Sequence, residues 1–235
     1  YIREQQTADV ALGYEFGRVG TADVSAGWVR YKTRGDIGED LGGYGLHAPF
    51  VGASLSVDTL DNVNFPRRGV NFTVDVRRLF HESESGSVTG NLTDTVWETS
   101  LNVPAVFDKN WSGLLSARLG EATIPGYFRL GGAFNLTGTP EGRFTGDRIA
   151  VGRLMLMRKI FPGLAEAGIA AYAGATYEVG RAYNHTSDFS NHKSDWHHAN
   201  ALFVGADTWV GPMYLMLGRT YGVGDSLMFY WGRLH

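Results

Sequence analysis

The feature that most constrains this chain is an alternation of apolar and polar residues that returns along most of its length. Between residues 70 and 77, valine and phenylalanine at the even positions alternate with asparagine, threonine, aspartate and arginine at the odd ones. The same period of two occurs at residues 8–16, 51–58, 97–103 and 169–179. This period is typical of β-strands with one apolar and one polar face, so the sequence predicts an all-β fold.

Eleven strands are predicted, and the connections between them alternate in length. The strands cover residues 4–16, 21–32, 48–58, 69–81, 94–106, 110–120, 148–160, 167–180, 197–210, 213–221 and 226–234. Short turns at one end of the strands and long polar loops at the other are typical of an antiparallel up-and-down barrel that crosses the outer membrane, with the long loops outside the cell. The connection at 59–68 is longer than the others at its end.

Charged residues lie deep within the polar faces of these strands. They include Asp9, Asp23, Asp75, Glu98, Arg118, Arg153, Glu178, Asp207 and Arg219. In a soluble β-sandwich or calyx the apolar faces would fill the inside, whereas in a membrane barrel they contact lipid and the polar faces line a wet lumen. Strands rich in glycine, alanine and serine would make a poor packed core, which favours the membrane barrel.

Aromatic residues near the strand ends fit the interface girdles of such a barrel. They are Trp28, Tyr31, Trp111, Tyr127, Trp196, Trp209, Tyr230 and Trp231. A net charge of −3 gives no reason to expect a nucleic-acid partner.

The odd number of strands indicates that a strand precedes those visible here. Single-chain bacterial barrels have even strand numbers. We therefore expect residues 1–235 to form a single outer-membrane β-barrel domain that is a C-terminal fragment of a barrel of 12 or 16 strands.

The stretch RLGGAFNLTGTPEGRFTGD, residues 129–147, interrupts the alternation. It holds five glycines and one proline, so neither a helix nor a strand is expected to run through it undisturbed. We call the region of about residues 121–147 the long loop. Connections of this length in a compact domain are usually functional.

Folding of the long loop into the lumen, as a plug, would explain these glycines. Glycine permits positive φ and a close approach of the backbone to the wall, and the loop has glycine at five positions: Gly131, Gly132, Gly138, Gly142 and Gly146. Its arginines, Arg129, Arg143 or Arg148, are then expected to pair with wall carboxylates such as Glu178 or Asp207. The alternative is a solvated surface loop.

Three local patterns, in this order, resemble the BamA/TamA-like barrels of the bacterial surface antigen superfamily. DTLDNVNFPRRG at 58–69 resembles their periplasmic turn, through Asp61, Phe65, Pro66 and Gly69. YFRLGGAFNLTGTPEGRFTGD at 127–147 resembles their sixth extracellular loop, which folds back into the lumen. FYWGRLH at 229–235 resembles their closing strand, through Phe229, Trp231, Gly232 and His235, the last replacing the usual final aromatic residue.

In most of that superfamily the loop contains V-R-G-F, whose arginine binds acidic groups of the lumen wall. Here the matching residues are Leu136, Thr137, Gly138 and Thr139, so this arginine is missing. An L-[ST]-G version is similar to the barrels of patatin-like type Vd autotransporters. The resemblance implies an outer-membrane anchor and translocator that carries an N-terminal lipase passenger to the cell surface. Lumen-wall partners of the long loop are then expected among Glu178, Asp207, Asp75, Glu98 and Arg118.

Two other functions stay open at this point: a porin-like channel, and a surface-antigen barrel that inserts or exports other proteins. The partners implied are outer-membrane lipids, the outer-membrane assembly machinery and the chain's own passenger, with a homo-oligomer as a further option.

No chemistry of catalysis is expected within this chain. It has no G-x-S-x-G, no phosphate-binding G-x-x-x-x-G-K-[ST] and no cysteine, so any lipase activity would belong to an N-terminal domain outside it. His81 near Ser83 and Ser85 lacks a third group to orient a base. The histidines His185, His192, His197 and His198 are expected to be solvated loop residues. We therefore expect no catalytic residue, metal or cofactor.

Overall fold

The computed structural model describes residues 2–34, 45–85, 88–124, 126–164, 169–184 and 196–232. Its main element is one antiparallel sheet of eleven strands, each paired with its neighbours in chain order. The strands are β1 (Ile2–Glu15), β2 (Gly20–Arg34), β3 (Gly45–Asp58), β4 (Asn71–Ser85), β5 (Val88–Val106), β6 (Trp111–Ala122), β9 (Arg148–Leu164), β10 (Ile169–Tyr183), β11 (His197–Thr208), β12 (Gly211–Thr220) and β13 (Gly224–Trp231). The predicted all-β class and the up-and-down order of eleven strands are confirmed.

Two short strands lie inside the long loop, where the sequence predicted no strand. β7 (Phe128–Leu130) and β8 (Phe144–Gly146) pair with each other and form a separate two-stranded hairpin. The prediction was wrong here because three residues are too few to show a period of two.

The described connections agree with the predicted alternation of lengths only in part, because the loop end carries a connection of three residues at 221–223 beside the long loop. The turn end carries the connections at 16–19, 59–70, 107–110 and 209–210, and the loop end carries the long loop and the connection at 221–223. In the turn at 107–110, Asp108 Oδ1 accepts hydrogen bonds from the backbone N–H groups of Asn110 (2.7 Å) and Trp111 (2.8 Å). These donors hold the pKa of the Asp108 carboxyl below its usual value.

The outer face of the sheet is apolar and exposed. Along β1, Val10 is 81% and Leu12 79% exposed, and across β11 to β13 the register aligns Leu202 (64%), Leu217 (59%) and Leu227 (71%) in one row. Aliphatic side chains at this exposure are unusual when they form a continuous surface. Arg219, predicted on a polar face, is an exception, since it lies at the loop end of this outer face and pairs with Asp225 at 3.5 Å.

The inner face carries the polar residues of the alternation and the long loop. Contacts across it show that the sheet is strongly curved: Phe65, between β3 and β4, stacks on Tyr172 of β10 with ring centroids 4.0 Å apart. One apolar cluster joins Val29 of β2 and Phe50 of β3 to Ala199 of β11. Closure into a barrel is not found, because β1 and β13 form the two ends of the sheet order in the described residues. Within the same part of the chain, no helix has the length and apolar character needed to span a membrane.

Candidate functional site

The long loop is built as a narrow hairpin that ends in a tight tip. β7 and β8 form its stem, and above them the backbone N–H of Gly132 donates to the carbonyl of Thr139 at 2.9 Å. We call residues 133–138 the tip. Phe134 and Leu136 have positive φ values of 58° and 68°, which is uncommon outside glycine and costs on the order of 1–3 kcal/mol each. The surrounding contacts must therefore hold the tip in place.

The strongest of these contacts joins Thr137 to Glu178 of β10. Both residues are fully buried. The backbone N–H of Thr137 donates to Glu178 Oε2 at 2.7 Å, and its hydroxyl donates to Oε1 at 2.9 Å. Thr176 adds a third hydrogen bond to Oε1 at 2.8 Å. A buried carboxylate needs several donors, and here threonines supply them.

Gly138 and Thr139 pack directly against β12. A Cβ atom at Gly138, whose φ is 116°, would lie 2.5 Å from the backbone nitrogen of Thr220 and 2.7 Å from the carbonyl carbon of Arg219. Thr139 donates its hydroxyl hydrogen to Thr220 Oγ1 at 2.8 Å, and Thr220 is buried. Only a residue without a side chain allows this approach.

Phe134 anchors the other side of the tip. Its carbonyl accepts a hydrogen bond from Arg153 of β9 at 2.9 Å, and the Arg153 guanidinium lies 5.4 Å from the centre of its ring. The ring also contacts Tyr214 (5.0 Å), Phe203 (5.8 Å) and Tyr230 (6.2 Å) edge to face. Edge-to-face packing of this kind is favourable beyond the area that it buries.

The base of the long loop is fixed to β10 and β6. Gly146 approaches the backbone of Tyr183 so closely that a Cβ atom would lie within 3 Å of it. The N–H of Asp147 donates to the side chain of Asn184 at 3.0 Å, and Arg148 Nε donates to Glu121 at 3.0 Å.

The connection at 59–70 crosses the turn end of the inner face and meets the same aromatic cluster. Asn64 donates to Asp207 at 2.8 Å and Asn62 does so at 3.4 Å, while the Tyr214 hydroxyl donates to the Asn64 carbonyl at 3.2 Å. Phe65 is 5.4 Å from Tyr214 between ring centroids.

The four residues that carried the predicted turn motif, Asp61, Phe65, Pro66 and Gly69, differ in their burial and contacts. Phe65 and Pro66 are buried, and exposed Asp61 accepts the N–H groups of Arg67 (2.8 Å) and Arg68 (3.0 Å). Gly69 has a φ of 97° and lies close to the Thr59 carbonyl.

The structure brings together part of the predicted set of loop and wall residues. Glu178 binds the tip, whereas Asp207 binds the 59–70 connection. Other wall residues pair along the polar part of the inner face, Glu98 with Arg118 at 2.7 Å and Asp75 with Arg77 at 3.1 Å.

The expected arginine contacts of the long loop differ from those found. Arg148 binds Glu121 and not Glu178 or Asp207, and the side chains of Arg129 and Arg143 are exposed. Thr137 takes the place at Glu178 that was expected for an arginine.

The sequence did not identify Phe134, Arg153, Tyr214 and Thr220 as residues of this site. Their contacts join segments far apart in the chain, so no local spacing could indicate them. The sequence contained a weak indication of Asn62 and Asn64, because both lie in a connection that is longer than the other connections at the turn end.

Residues of the closing strand lie on both faces. Phe229 and Trp231 point outward and are 67% and 61% exposed, and Trp231 Nε1 donates to the Val210 carbonyl at 3.0 Å. Gly232 has a φ of 152°, and His235 lies outside the described residues. Two aromatic residues predicted for the girdles face inward instead: Tyr230 packs near Phe134, and Tyr127 packs against the apolar cluster around β7.

Two of the predicted histidines, His197 and His198, lie in the described part of the chain, where both contact aromatic side chains. Among the described residues, no three histidine, aspartate or glutamate side chains could hold a metal ion together. His197 stacks on Phe144 at 4.0 Å, and His198 Nδ1 lies 2.8 Å from the Tyr177 hydroxyl. His185, His192 and the side chains of His81, Ser83 and Ser85 lie outside the described part.

Comparison with known proteins adds no assignment to this geometry. No protein-family model matches the sequence, and no curated protein matches it.

Proposed function

We propose that this chain forms the wall of an outer-membrane β-barrel whose lumen is plugged by the long loop. The observation that carries this proposal is the distribution of polarity across the sheet. The outer face is apolar and exposed over the middle of the strands, where it carries residues such as Leu154, Leu202 and Leu215, and its charged pairs Arg219–Asp225 and Arg148–Glu121 lie at the loop end. The pair Glu98–Arg118 lies in mid-strand on the inner face. Water on the outside of a soluble protein would favour the reverse arrangement, whereas lipid favours this one.

The contacts of the long loop support a plug that is fixed in the resting state. Its tip is held at Glu178, Thr220 and Arg153, on three different strands, with the Thr220 hydroxyl donating to the Thr137 carbonyl at 3.3 Å. A polar, protein-lined lumen satisfies the irregular backbone of such a loop, which lipid could not do. A loop held in this way favours a plugged lumen over the open lumen of a porin-like channel.

By the resemblance to patatin-like type Vd autotransporters, the barrel anchors an N-terminal lipase domain and helps it to the cell surface. The L-T-G sequence of residues 136–138 supports this choice over the surface-antigen barrels that insert other proteins, because that resemblance lies in the tip. No covalent chemistry is required of the chain itself.

A matched pair of glycines tests the orientation in the membrane. Gly17 at the turn end and Gly126 at the loop end have φ values of 63° and 65°, and neither has an atom within 4 Å of a Cβ position. A protease site inserted after each should be tolerated equally. On intact bacteria expressing the protein, we expect cleavage after Gly126 only, and cleavage after Gly17 once the outer membrane is permeabilised. Equal cleavage on intact cells, or recovery of the protein in the soluble fraction, would contradict the proposal.

The passenger role has its own test. A reporter enzyme fused ahead of residue 1 should become accessible to an impermeant substrate on intact cells. If the reporter stays inside cells in which the barrel is correctly inserted, the translocator role is wrong, although the membrane barrel itself is not contradicted.

A further inference from the structure

The apolar band of the outer face ends in arginines on the side of the loop end. Five strands carry one there, and we call this set the arginine belt: Arg30, Arg78, Arg148, Arg181 and Arg219. Four of them adjoin a buried residue of the inner face in their strand, namely Val29, Leu79, Ile149 and Thr220, so the arginines themselves face outward. Between the belt and the turn end, the described outward positions of the strands carry one charged residue, Arg158 of β9.

The strands are staggered, and the arginine belt follows the stagger. The row of paired residues through Leu215, in mid-strand on β12, passes Val204, Ala173 and Arg158 and ends at Trp111, the first residue of β6. A line at constant height therefore descends along each row toward β12. The belt descends in the same sense, since Arg181 lies one outward position nearer the turn end than Tyr183, the partner of Arg148. This is the pattern expected where tilted strands meet the plane of a membrane surface.

Arg181 and Arg148 share one aromatic ring at this edge. Arg181 Cζ lies 3.8 Å from the ring centre of Tyr183 and 5.6 Å from that of Trp196. Arg148 Cζ lies 5.9 Å from the same Tyr183 ring. Stacking on a ring occupies the face of a guanidinium and leaves the N–H groups at its edge able to bind an anion.

The protein balances the charge of the belt only in part. Glu121 binds Arg148, and Asp225 lies 3.5 Å from Arg219. Arg30, Arg78 and Arg181 form no ion pair with another described residue. The Nε atom of Arg181 is buried and has no hydrogen-bond acceptor in the same part of the chain. A cation beside an extended apolar surface is stabilised by a counter-anion, which here has to come from outside the protein.

A cleft of about 500 Å³ lies on the outer face beside this edge, between β10 and β13. The register gives it a polar row at the loop end and an apolar row directly below. The polar row is Asn200, Arg219 and Asp225, and the apolar row includes Ala175, Leu202 and Leu217. The small side chain of alanine leaves room between the leucines. A lipid has the same order of parts, with a polar headgroup above an acyl chain.

We propose that the arginine belt, centred on Arg148 and Arg181, binds the phosphate groups of lipid headgroups in the leaflet on the side of the loop end. This inference rests on the proposed membrane function and adds the class of lipid. Arginine binds phosphate oxygens through paired N–H groups. A phosphate monoester carries up to two negative charges and three acceptor oxygens, so headgroups that end in one are the preferred ligands.

Native mass spectrometry of the detergent-purified chain tests this with phosphatidic acid, whose headgroup is a phosphate monoester. Wild type should bind phosphatidic acid more tightly than phosphatidylcholine. Arg181→Gln should weaken binding of phosphatidic acid about fivefold, the effect of one arginine beside an anionic lipid surface. Arg158→Gln is the matched control and should leave the affinity unchanged, because Arg158 also faces outward near an aromatic ring, 5.7 Å from the centre of Trp111, but at the turn end. Equal binding of the two lipids by wild type, or equal losses in both variants, would overturn the proposal.

Competition with inorganic phosphate separates a lipid site from a site for free phosphate. At the same concentration as phosphatidic acid, inorganic phosphate should not displace the lipid, because it has no acyl chain to lie in the cleft. Displacement would overturn the assignment to lipid.

Flotation with vesicles of phosphatidylcholine and phosphatidic acid separates failure of this inference from failure of the membrane function. Wild-type protein that does not float would overturn both. Protein that floats but shows no preference for phosphatidic acid would overturn the inference alone. Arg181→Gln should float like wild type, which shows that its lower affinity does not come from misfolding.

Discussion

Glu178 accepts its three hydrogen bonds from two threonines, Thr137 and Thr176. Under the proposed resemblance to surface-antigen barrels, an arginine would be expected at the position of Thr137, and its charge would reach the wall. Here the backbone N–H and hydroxyl of Thr137 act instead, and its hydroxyl also accepts the N–H of Phe134 at 2.9 Å. One threonine thus holds the tip in its strained backbone form and binds it to β10.

Removing either partner should therefore leave a buried polar group without its contacts. We expect Glu178→Gln and Thr137→Val each to lower the free energy of unfolding by about 1–3 kcal/mol. The double variant should cost clearly less than the sum, because both changes break the same contact. Thr145→Val, at an exposed position of the same loop, should change stability by less than about 0.5 kcal/mol. Additive costs in denaturant titrations would show that the two residues do not act together.

Gly138 offers a second test at this scale, with Gly126 as its control. Both have positive φ, but only Gly138 is pressed against backbone, that of β12. Gly126→Ala should cost about 1–2 kcal/mol, the price of a left-handed alanine. Gly138→Ala should cost a further 1–3 kcal/mol, roughly, because its methyl group overlaps Thr220 and Arg219. Equal costs in the same titration would mean that the tip is not held against β12.

At the scale of elements, the strands followed from their period of two, and their boundaries lie within four residues of those predicted, except that β5 begins at Val88, six residues before the predicted start. The contacts between elements did not follow in the same way. Asn62 and Asn64 bind Asp207 more than 140 positions along the chain, and β7 and β8 pair over three residues only. The glycines predicted a loop with sharp turns. The wall residue that each loop residue contacts depends on the curvature of the sheet, and no local sequence pattern indicates that curvature.

The outer face gives the prediction for this scale. Leu215 is 54% exposed and lies in mid-strand on β12, aligned with Val204 and Phe229. In a membrane, Leu215→Arg should destabilise the folded protein by about 2–4 kcal/mol. Thr21→Arg, at an exposed position of the inner face of β2, should have little effect. If both substitutions are within about 0.5 kcal/mol of wild type during urea unfolding from vesicles, the outer face does not contact lipid.

At the scale of the whole molecule, β1 and β13 run in the same direction, from the loop end to the turn end. Antiparallel pairing around a closed ring requires an even number of strands, so these eleven cannot close by antiparallel pairing alone. β1 is nevertheless as apolar on its outer face as the strands within the sheet, with Val10, Leu12 and Tyr14 all exposed. The apolar outer face therefore extends to β1, at the edge of the sheet.

In the proposed barrel, the outer face meets lipid and the inner face meets water. Nitroxide spin labels on introduced cysteines at Leu202 and Ser100 measure this directly, by collision with apolar oxygen and with a polar nickel chelate in vesicle-reconstituted protein. Leu202 faces outward on β11, and Ser100 faces inward on β5. We predict that oxygen relaxes the label at Leu202 strongly and the nickel chelate barely, with the order reversed at Ser100. Equal access of the nickel chelate to both labels would contradict the claim.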